Sequence, residues 1–387
     1  MNATKRMLGL IFLTVAVDLV GFGIILPNLP LYAEALGASA AWVGVLFASY
    51  SVMQFVFAPI WGRLSDRIGR RPVLLGSIAG NIVALLVFAF AKDFWWLLLS
   101  RTMAGLCTAN ISVANAYVAD ILPPEKRAKG MGLIGAAFGI GFVVGPFIGG
   151  EMSRWGFAAP PLCAVALSVL NGVGAYFWLP ETLSADHRAS RTERGPHALL
   201  QALKLPTAAR LIVLGFFQVL AFSMLEMAFV LFAERRLGFA ARQSGRVFVY
   251  IGLVLVLVQG GLIGPLVRRY GERAVVIAGM FSIALGMLLI PQTPQGAWPI
   301  FLGCVTFVSF GHGLAAPSLS GMLSRRAPPH AQGLFLGASQ SASALARVAG
   351  PTAAGILFAH ISENAPFLAG GVLMTVSAAW ALFSLRE

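Results

Sequence analysis

Three ionisable side chains interrupt long apolar runs of the sequence: Asp18, Arg101 and Glu226. An ionisable group in apolar surroundings costs several kcal/mol unless it is paired, hydrated or neutralised by a proton. A carboxylate held there can take up and release a proton, and an arginine nearby can balance its charge. Asp18 and Glu226 are therefore candidate proton-coupling residues, with Arg101 as a third. The alternative for Asp18 and Arg101 is a structural ion pair that locks two helices together.

Glu226 has no basic neighbour within its own apolar run, so it is the better candidate for a group that titrates near physiological pH. Its alternative role is a hydrogen bond between two helices. Glu226 follows Asp18 by 208 positions. His312 is a candidate proton relay, although a single histidine in a helix more often has a structural role. Further polar side chains in apolar runs are candidate substrate-cavity residues together with His312: Gln54, Asn110, Asn115, Gln218, Gln259 and Gln340.

The most highly charged short segment is Gly62–Pro72, with the sequence GRLSDRIGRRP. Four arginines and one aspartate within eleven residues cannot lie in hydrocarbon, so the segment is interpreted as a tight loop between two membrane helices. Its glycines permit the close backbone turn that such a loop needs. One interpretation is that the arginines only fix orientation; the other is a conformational gate formed by Gly62, Asp66, Arg67, Gly69, Arg70 and Arg71.

Composition indicates the surroundings in which these residues must be held. Of the 387 residues, 58% are apolar and only 11% are charged, where a soluble protein carries roughly 25% charged residues. The mean hydropathy is +0.81. A helix needs about 20 apolar residues to cross a bilayer. Twelve runs meet that length and are numbered here as spans 1 to 12: 7–30, 41–61, 73–91, 94–118, 130–150, 158–179, 210–233, 244–266, 274–291, 297–322, 332–358 and 366–385.

The positive charge predicts the orientation of these spans. An even number of spans places both termini on one side, and Lys5 and Arg6 favour the cytoplasm. Under that assignment 20 of the 28 basic residues are cytoplasmic and 6 are outside, as the positive-inside rule requires. The net charge of +13 is spread over loops rather than over a folded domain, so no nucleic-acid partner is predicted. We expect a multi-pass protein of the plasma (bacterial inner) membrane, a monomer in contact with the lipid bilayer.

Two halves of the chain repeat each other. Gly264–Arg273 echoes Gly62–Arg71 at an offset of 202, with Arg268 in the place of Asp66. Gly350 and Pro351 echo Gly145 and Pro146 at an offset of 205. The sequence therefore predicts an all-α membrane protein with two pseudo-symmetric six-helix bundles. The predicted boundaries are 1–180 for the first bundle, 181–209 for a cytoplasmic linker with a possible surface helix at 197–204, and 210–387 for the second bundle.

Span 5 carries a glycine-rich motif. Its glycines recur every fourth residue and form a smooth stripe on which another helix can pack closely. Pro146 favours a kink because it removes one backbone hydrogen bond. The simpler interpretation is ordinary packing of small residues. The residues of this motif are Gly141, Gly145, Pro146, Gly149 and Gly150.

These motifs resemble those of the major facilitator superfamily. The pattern GxLxDRxGRR resembles its loop between helices 2 and 3, and GxxxGPxxGG resembles the helix 5 motif of its drug/proton antiporters. Arg101 and Gly105 are similar to the helix 4 motif RxxxG. Further segments look like the twelve-helix antiporters, including tetracycline efflux pumps: Asp18–Pro30, Arg70–Leu75, Leu179–Thr182 and Phe232–Gly238. One difference is that those pumps carry an acid in helix 3, whereas 76–91 has none.

The resemblance implies a proton-coupled exporter of small amphipathic drugs or metabolites that works by alternating access, with a small molecule and protons as its partners. An uptake symporter on the same fold is the main alternative, and a membrane enzyme or sensor is a remote one. No enzymatic activity and no cofactor are expected. The three cysteines lie in apolar runs and indicate neither a disulfide framework nor a metal site.

The resemblance also implies a role for the charged segment. It places Asp66 near the start of span 11, around Gln332 and Gly333, where a helix N-terminus favours a carboxylate. Arg70 is expected to pair with Asp120 at the end of span 4. Both contacts would form a latch that closes on the cytoplasmic side. Under this hypothesis, Asp66→Asn shifts the population towards the inward-open state without altering topology or expression.

Overall fold

The computed structural model describes residues 3–108, 110–182, 206–326 and 332–385, and the regular structure within them is helical. Long apolar stretches explain this, because a helix satisfies its own backbone hydrogen bonds in lipid. In the first half the helices are Ala3–Ile25, Leu29–Ala35, Ala40–Ile68, Arg70–Ala89, Phe94–Cys107, Asn110–Ile121, Pro124–Met152 and Ala159–Trp178. In the second half they are Pro206–Leu237, Ala241–Leu257, Ile263–Leu289, Trp298–Arg326, Gln332–His360 and Ala365–Ser384.

The described residues contain eleven helical segments that are long and apolar enough to cross a membrane, and some of these segments join two consecutive helices. One of them, Ala241–Gln292, has 52 residues and contains both predicted spans 8 and 9. It turns at Gly271, whose φ of 77° lies in the left-handed region that favours glycine. The predicted all-α membrane fold is thereby confirmed.

The predicted loop between spans 2 and 3 is wrong. Span 2 remains helical to Ile68 and span 3 begins at Arg70, so Gly69 alone makes the turn, with a φ of 112°. A charged sequence shows that a segment leaves the hydrocarbon, but a helix can continue into water as readily as a loop. Gly271 makes the matching turn 202 positions later.

Span 4 is two helices rather than the predicted continuous one. The helix Phe94–Cys107 ends before Thr108, and the next helix begins at Asn110. Carbonyl groups that the break would leave without partners accept hydrogen bonds from side chains of neighbouring spans. The Trp61 indole donates to Leu106 O at 2.6 Å, and the Ser77 hydroxyl donates to Cys107 O. The polar backbone at the break is therefore satisfied inside the protein.

The chain forms two compact units. Unit 1 comprises Met1–Gly37, Ser49–Glu193 and Ala241–Val249, and unit 2 comprises Ala38–Ala48, Arg194–Ala240 and Tyr250–Glu387. The units follow the two halves of the sequence except at two segments, 38–48 and 241–249. The domain boundaries given above stay a prediction, and residues 183–205 of the predicted linker lie outside the described part of the chain.

The same packing order occurs in both units. In unit 1, span 1 packs against spans 5 and 6, and span 3 packs against spans 4 and 6. In unit 2, span 7 packs against spans 11 and 12, and span 9 packs against spans 10 and 12. Each pairing in unit 2 is the pairing in unit 1 shifted by six spans. This arrangement places span 1 and span 7, which carry Asp18 and Glu226, at equivalent positions.

Candidate functional site

A cavity in unit 1 brings Asp18 and Arg101 together. It contains about 300 Å³ of empty space, including its mouth, and its wall is formed by spans 1, 2, 3 and 4. Both predicted ionisable residues line it, so a carboxylate and a guanidinium belong to the wall of one cavity. The other lining residues are Gly21, Phe22, Ile25, Tyr50, Asn81, Leu85, Ala104 and Thr108.

Arg101 is held among aromatic rings. Its side chain is only 4% exposed, and its guanidinium lies 5.8 Å from the ring centroid of Tyr50 and 5.3 Å from that of Phe88. Such cation–π contacts contribute about 2 kcal/mol when they are desolvated. The Nε of Arg101 has no hydrogen-bond partner among the described residues. The rings thus stabilise the buried cation.

The cavity includes residues that the sequence analysis missed. Tyr50 and Phe22 have ring centroids 5.2 Å apart, and the Tyr50 hydroxyl accepts a hydrogen bond from Thr108 Oγ1 at 3.1 Å. Asn81 on span 3 is a polar residue in an apolar run, so the criterion that selected Gln54 would also have found it. The aromatic residues give no such signal, because an aromatic side chain in an apolar run looks the same whether it faces lipid or a cavity.

Unit 2 holds the second predicted acid beside a different arginine. Glu226 on span 7 is partly accessible, and the positive charge of Arg347 on span 11 acts on it. No basic residue of span 7 itself supplies this charge; the partner comes from a neighbouring helix. By the repeat, Arg101 would correspond to a residue of span 10. The two units therefore place an arginine near a carboxylate from non-equivalent helices.

A second polar contact in unit 2 joins Gln218 and His312. Gln218 Nε2 lies 3.1 Å from His312 Nδ1, and the imidazole stacks on Phe222 with centroids 4.1 Å apart. Gln218 is 1% exposed. When the amide nitrogen donates, Nδ1 accepts and the ring proton lies on Nε2. One hydrogen bond thus joins two of the candidate substrate-cavity residues.

The other candidate substrate-cavity residues do not lie together in one site. Gln54 and Asn115 are partly exposed in unit 1 and are not among the residues that line its cavity. Gln259 and Gln340 are exposed on unit 2. The side chain of Asn110 lies outside the described part of the chain. Polarity inside an apolar run therefore identified candidates without showing which helix face carries them.

The junction of spans 2 and 3 is organised around Arg70, which is fully buried. Its guanidinium donates to Asp66 Oδ1 at 2.6 Å, to Asp120 Oδ2 at 3.0 Å and to Ser65 Oγ at 2.5 Å. The Asp120 contact is the pair expected from the sequence. The carboxylate of Glu181 accepts from the backbone N–H groups of Arg70 and of the next residue, at the start of span 3.

Other residues of the predicted gate lie at the edge of this junction. Arg67 is exposed, whereas Arg71 donates to the Tyr176 carbonyl near the end of span 6. Gly62 is part of the helix of span 2 and has no atom within 4 Å of an added Cβ. The surroundings of Gln332 and Gly333, near which Asp66 is expected to lie, are outside the described part of the chain.

Unit 2 repeats this junction with its charges inverted. Glu272 takes the place of Arg70 and pairs with Arg325, which corresponds to Asp120 at the end of the matching span. Arg268 takes the place of Asp66. Arg273 donates to the Leu382 carbonyl at 2.7 Å, as Arg71 does to Tyr176 in unit 1. Arg70 in unit 1 thus contacts two acids, whereas among the described residues Glu272 in unit 2 contacts one base, so the signs of the charges are exchanged.

The glycine stripe of span 5 faces span 1. A Cβ at Gly145 would lie 2.6 Å from Val20 O, and one at Gly141 would lie 2.6 Å from Leu19 Cβ. Gly149 contacts Ile24, and its carbonyl accepts a hydrogen bond from the buried Asn28 amide at 3.1 Å. Pro146 contacts Gly23, and Gly150 packs on the segment 241–245. The stripe is therefore a tight helix–helix contact within unit 1 and does not face lipid.

Replacing Arg70 by Leu is expected to destabilise the protein much more than replacing Arg67 by Leu. Removing one member of a buried charge cluster leaves its partners without a countercharge. We expect the free energy of unfolding to fall by about 2 kcal/mol or more, because Asp120 is only 13% exposed. Arg67 in the same turn is exposed and is the matched control. Thermal unfolding in detergent measures the difference. Equal melting temperatures for the two variants would contradict the role of Arg70 as the centre of the junction.

Comparison with known proteins gives consistent matches over almost the whole chain. The family described as Major Facilitator Superfamily matches residues 11–264 and 260–387. The Escherichia coli tetracycline resistance protein, class C, is 35% identical over 343 residues, which are 87% of this chain and 86% of that protein. The crystal structure of the human organic anion transporter MFSD10 (TETRAN) superposes with a TM-score of 0.74 and 26% identity, covering 98% of this chain and all of that chain. The crystal structure of the nucleoside transporter NupG gives a TM-score of 0.77 at 15% identity, covering 100% of this chain and 100% of that chain, a likeness of fold.

Proposed function

Because this chain belongs to the Major Facilitator Superfamily, we propose that it is a proton-coupled antiporter that exports small amphipathic drugs or metabolites by alternating access. Its tetracycline resistance relatives support export as the direction of transport. The observation that carries the proposal is the presence of one membrane-embedded carboxylate in each unit, each with an arginine nearby. These pairs are Asp18 with Arg101 and Glu226 with Arg347.

The two pairs provide a way to exchange a proton for a substrate. When the carboxylate is ionised, the neighbouring arginine balances its charge, and the carboxylate remains available to a cationic or hydrogen-bonding substrate. When the carboxyl group is protonated, it no longer attracts a cation. Proton and substrate therefore bind at the expense of each other, and each lowers the affinity for the other by the same factor. Competition of this kind is what exchange across a membrane requires.

The aromatic wall of the unit 1 cavity suits the apolar part of such a substrate. Phe22 and Tyr50 offer ring surfaces, while Asn81 and Thr108 offer hydrogen-bonding groups. Ligand pockets commonly combine an apolar wall with a few polar groups that fix orientation. We expect this cavity to hold the amphipathic substrate beside Asp18.

A second candidate function is the transport of organic anions together with protons. The name of the human MFSD10 structure supports it, as does the buried guanidinium of Arg101 beside Asp18. An anion bound to Arg101 would compete with the Asp18 carboxylate for the same positive charge. Protonation of Asp18 would remove that competition, so proton and anion would bind together and move in the same direction. The charge of the substrate therefore decides between exchange and cotransport.

Proton flux in vesicles distinguishes the two functions. Inside-out vesicles with an acidic lumen are loaded with a pH-sensitive dye, and candidate cations, neutral compounds and organic anions are added outside. An antiporter releases lumenal protons as it takes up a substrate, and vesicles lacking the protein do not. Proton movement with the substrate rather than against it would contradict the antiporter and support the second function. A drug-susceptibility panel in a host without its own pumps selects the compounds to test.

We also propose that both termini lie in the cytoplasm of a bacterial cell and that the transporter acts as a monomer. The excess of basic residues on one side of the predicted spans supports the orientation. Reporter proteins fused to the C-terminus, one active only in the cytoplasm and one only outside, test it. Activity of the external reporter alone would reverse the orientation.

A further inference from the structure

We propose that the junction of spans 8 and 9 in unit 2 binds the headgroup of an anionic phospholipid. We call its arginines the basic junction; they are Arg268, Arg269, Arg273, Arg325 and Arg326. Proton coupling and drug export do not require this site, so the inference goes beyond the proposed function.

The basic junction carries a large uncompensated charge. Arg268, Arg269 and Arg326 are exposed, and the side chain of Arg325 is 64% exposed although it contacts Glu272. Among the described residues at this end of unit 2, Glu272 is the single acid. Five arginines and one glutamate leave four positive charges at the ends of three helix segments.

The matching junction of unit 1 shows that this excess is not a general feature of the fold. At the matching positions there, Asp66 and Asp120 oppose the four arginines of 63–71 and leave two positive charges, half the number in unit 2. In unit 2 the exchange of signs puts Arg268 and Arg325 where these two acids stand. The orientation of the chain in the membrane could be fixed by arginines distributed over all the cytoplasmic loops. The exchange of signs instead concentrates them in one place.

The surroundings of the basic junction match the two chemical parts of a phospholipid. The guanidinium of Arg269 lies 5.3 Å from the ring centroid of Tyr270, which is 56% exposed, and paired arginine and tyrosine side chains are typical of the headgroup level. The preceding helical stretch exposes Leu257 and Leu262, at 67% and 48%. These apolar side chains can contact the acyl chains of a lipid, whereas a free anion would gain nothing from them.

One donor inside the basic junction strengthens the assignment. Arg273 uses its Nη2 to donate to Leu382 O at 2.7 Å, which fixes the guanidinium against the end of span 12. Its Nε is buried and has no hydrogen-bond partner among the described residues. A phosphate oxygen has the charge and the acceptor capacity that this cluster of donors requires.

Native mass spectrometry of the purified transporter tests the proposal. The wild-type protein is titrated with phosphatidylglycerol and with phosphatidylcholine of the same acyl chains, and a preference for phosphatidylglycerol is expected. Each arginine near an anionic lipid surface contributes about fivefold in affinity. The double variant Arg268→Gln/Arg269→Gln should therefore weaken phosphatidylglycerol binding by roughly 25-fold, with phosphatidylcholine binding unchanged.

Two controls separate charge from folding. Arg268→Lys/Arg269→Lys keeps the charge and should keep the lipid preference. Arg154→Gln removes an exposed arginine that stacks on exposed Trp155 at 4.0 Å, as Arg269 does on Tyr270, but lies outside the basic junction. This variant should bind phosphatidylglycerol like the wild type.

Three results would overturn the proposal. The first is equal binding of both lipids by the wild type, and the second is an unchanged preference in the glutamine double variant. The third is displacement of bound phosphatidylglycerol by inorganic phosphate at equal concentration, since the site would then be one for a soluble anion.

Discussion

At least one of the variants Asp18→Asn and Glu226→Gln should abolish substrate-driven proton movement while the folded protein remains in the membrane. An amide has nearly the size of the carboxyl group, but it neither takes up nor releases a proton at physiological pH. The proton signal in vesicles should therefore fall to the level of vesicles without transporter. Substrate binding to the purified variant, followed by fluorescence, should persist where the substrate is neutral.

The arginine partners determine the controls for this experiment. Asp18→Asn leaves Arg101 without the carboxylate in its cavity, although its contacts with the rings of Tyr50 and Phe88 remain. The conservative variants Asp18→Glu and Glu226→Asp keep a titratable group, so each should retain proton coupling. If both amide variants still couple substrate to protons, the assignment of the coupling residues is wrong.

Replacing Gly145 by Leu is expected to eliminate transport without changing any charge. A Cβ at this position would lie 2.6 Å from Val20 O and 2.7 Å from Gly23 Cα, both of which are backbone atoms of span 1. Backbone atoms cannot rotate away as the end of a flexible side chain can. Spans 1 and 5 must separate, and overpacking of this kind typically costs about 1 to 3 kcal/mol. Span 1 also carries Asp18, so the displacement reaches the cavity.

Gly135 on the same helix is the matched control. Gly135 is exposed and has no atom within 4 Å of an added Cβ. The Gly135→Leu variant should therefore insert into the membrane, fold and transport substrate like the wild type. Transport rates and melting temperatures of the two variants are compared at equal expression. A wild-type rate for Gly145→Leu would show that the close contact of spans 1 and 5 is not needed for function.

Hydropathy predicted the membrane spans because it depends on residues close together in sequence, and the repeated motifs predicted the equivalence of the two halves. The same reasoning indicated a turn within Gly62–Pro72, but it overestimated the length of the turn. Charge shows where a chain meets water and does not show whether it stays helical there. The single residue that makes the turn, Gly69, becomes identifiable only from its backbone angles.

The contacts of the candidate site were harder to predict. The partnership of Glu226 with Arg347 depends on how spans 7 and 11 are rotated about their axes, and in unit 1 the arginine comes from a different position in the repeat. Tyr50 lines the cavity, but no local sequence pattern distinguishes its ring from a lipid-facing ring. The pairing of Arg70 with Asp120, in contrast, was expected correctly, because both residues lie at predicted ends of spans on the same side of the membrane.

The single-residue turns at Gly69 and Gly271 have a consequence for insertions and deletions. An extra residue after Gly69 would rotate span 3 by about 100° about its axis and advance it by about 1.5 Å. Arg70 would then point away from Asp120, and the N–H groups at the helix start would leave Glu181. In a longer loop, other residues could change their backbone angles to compensate for the insertion. A turn of one residue has no such residues. The length of this segment is therefore constrained as strictly as its charges, and variation here must proceed by substitution alone.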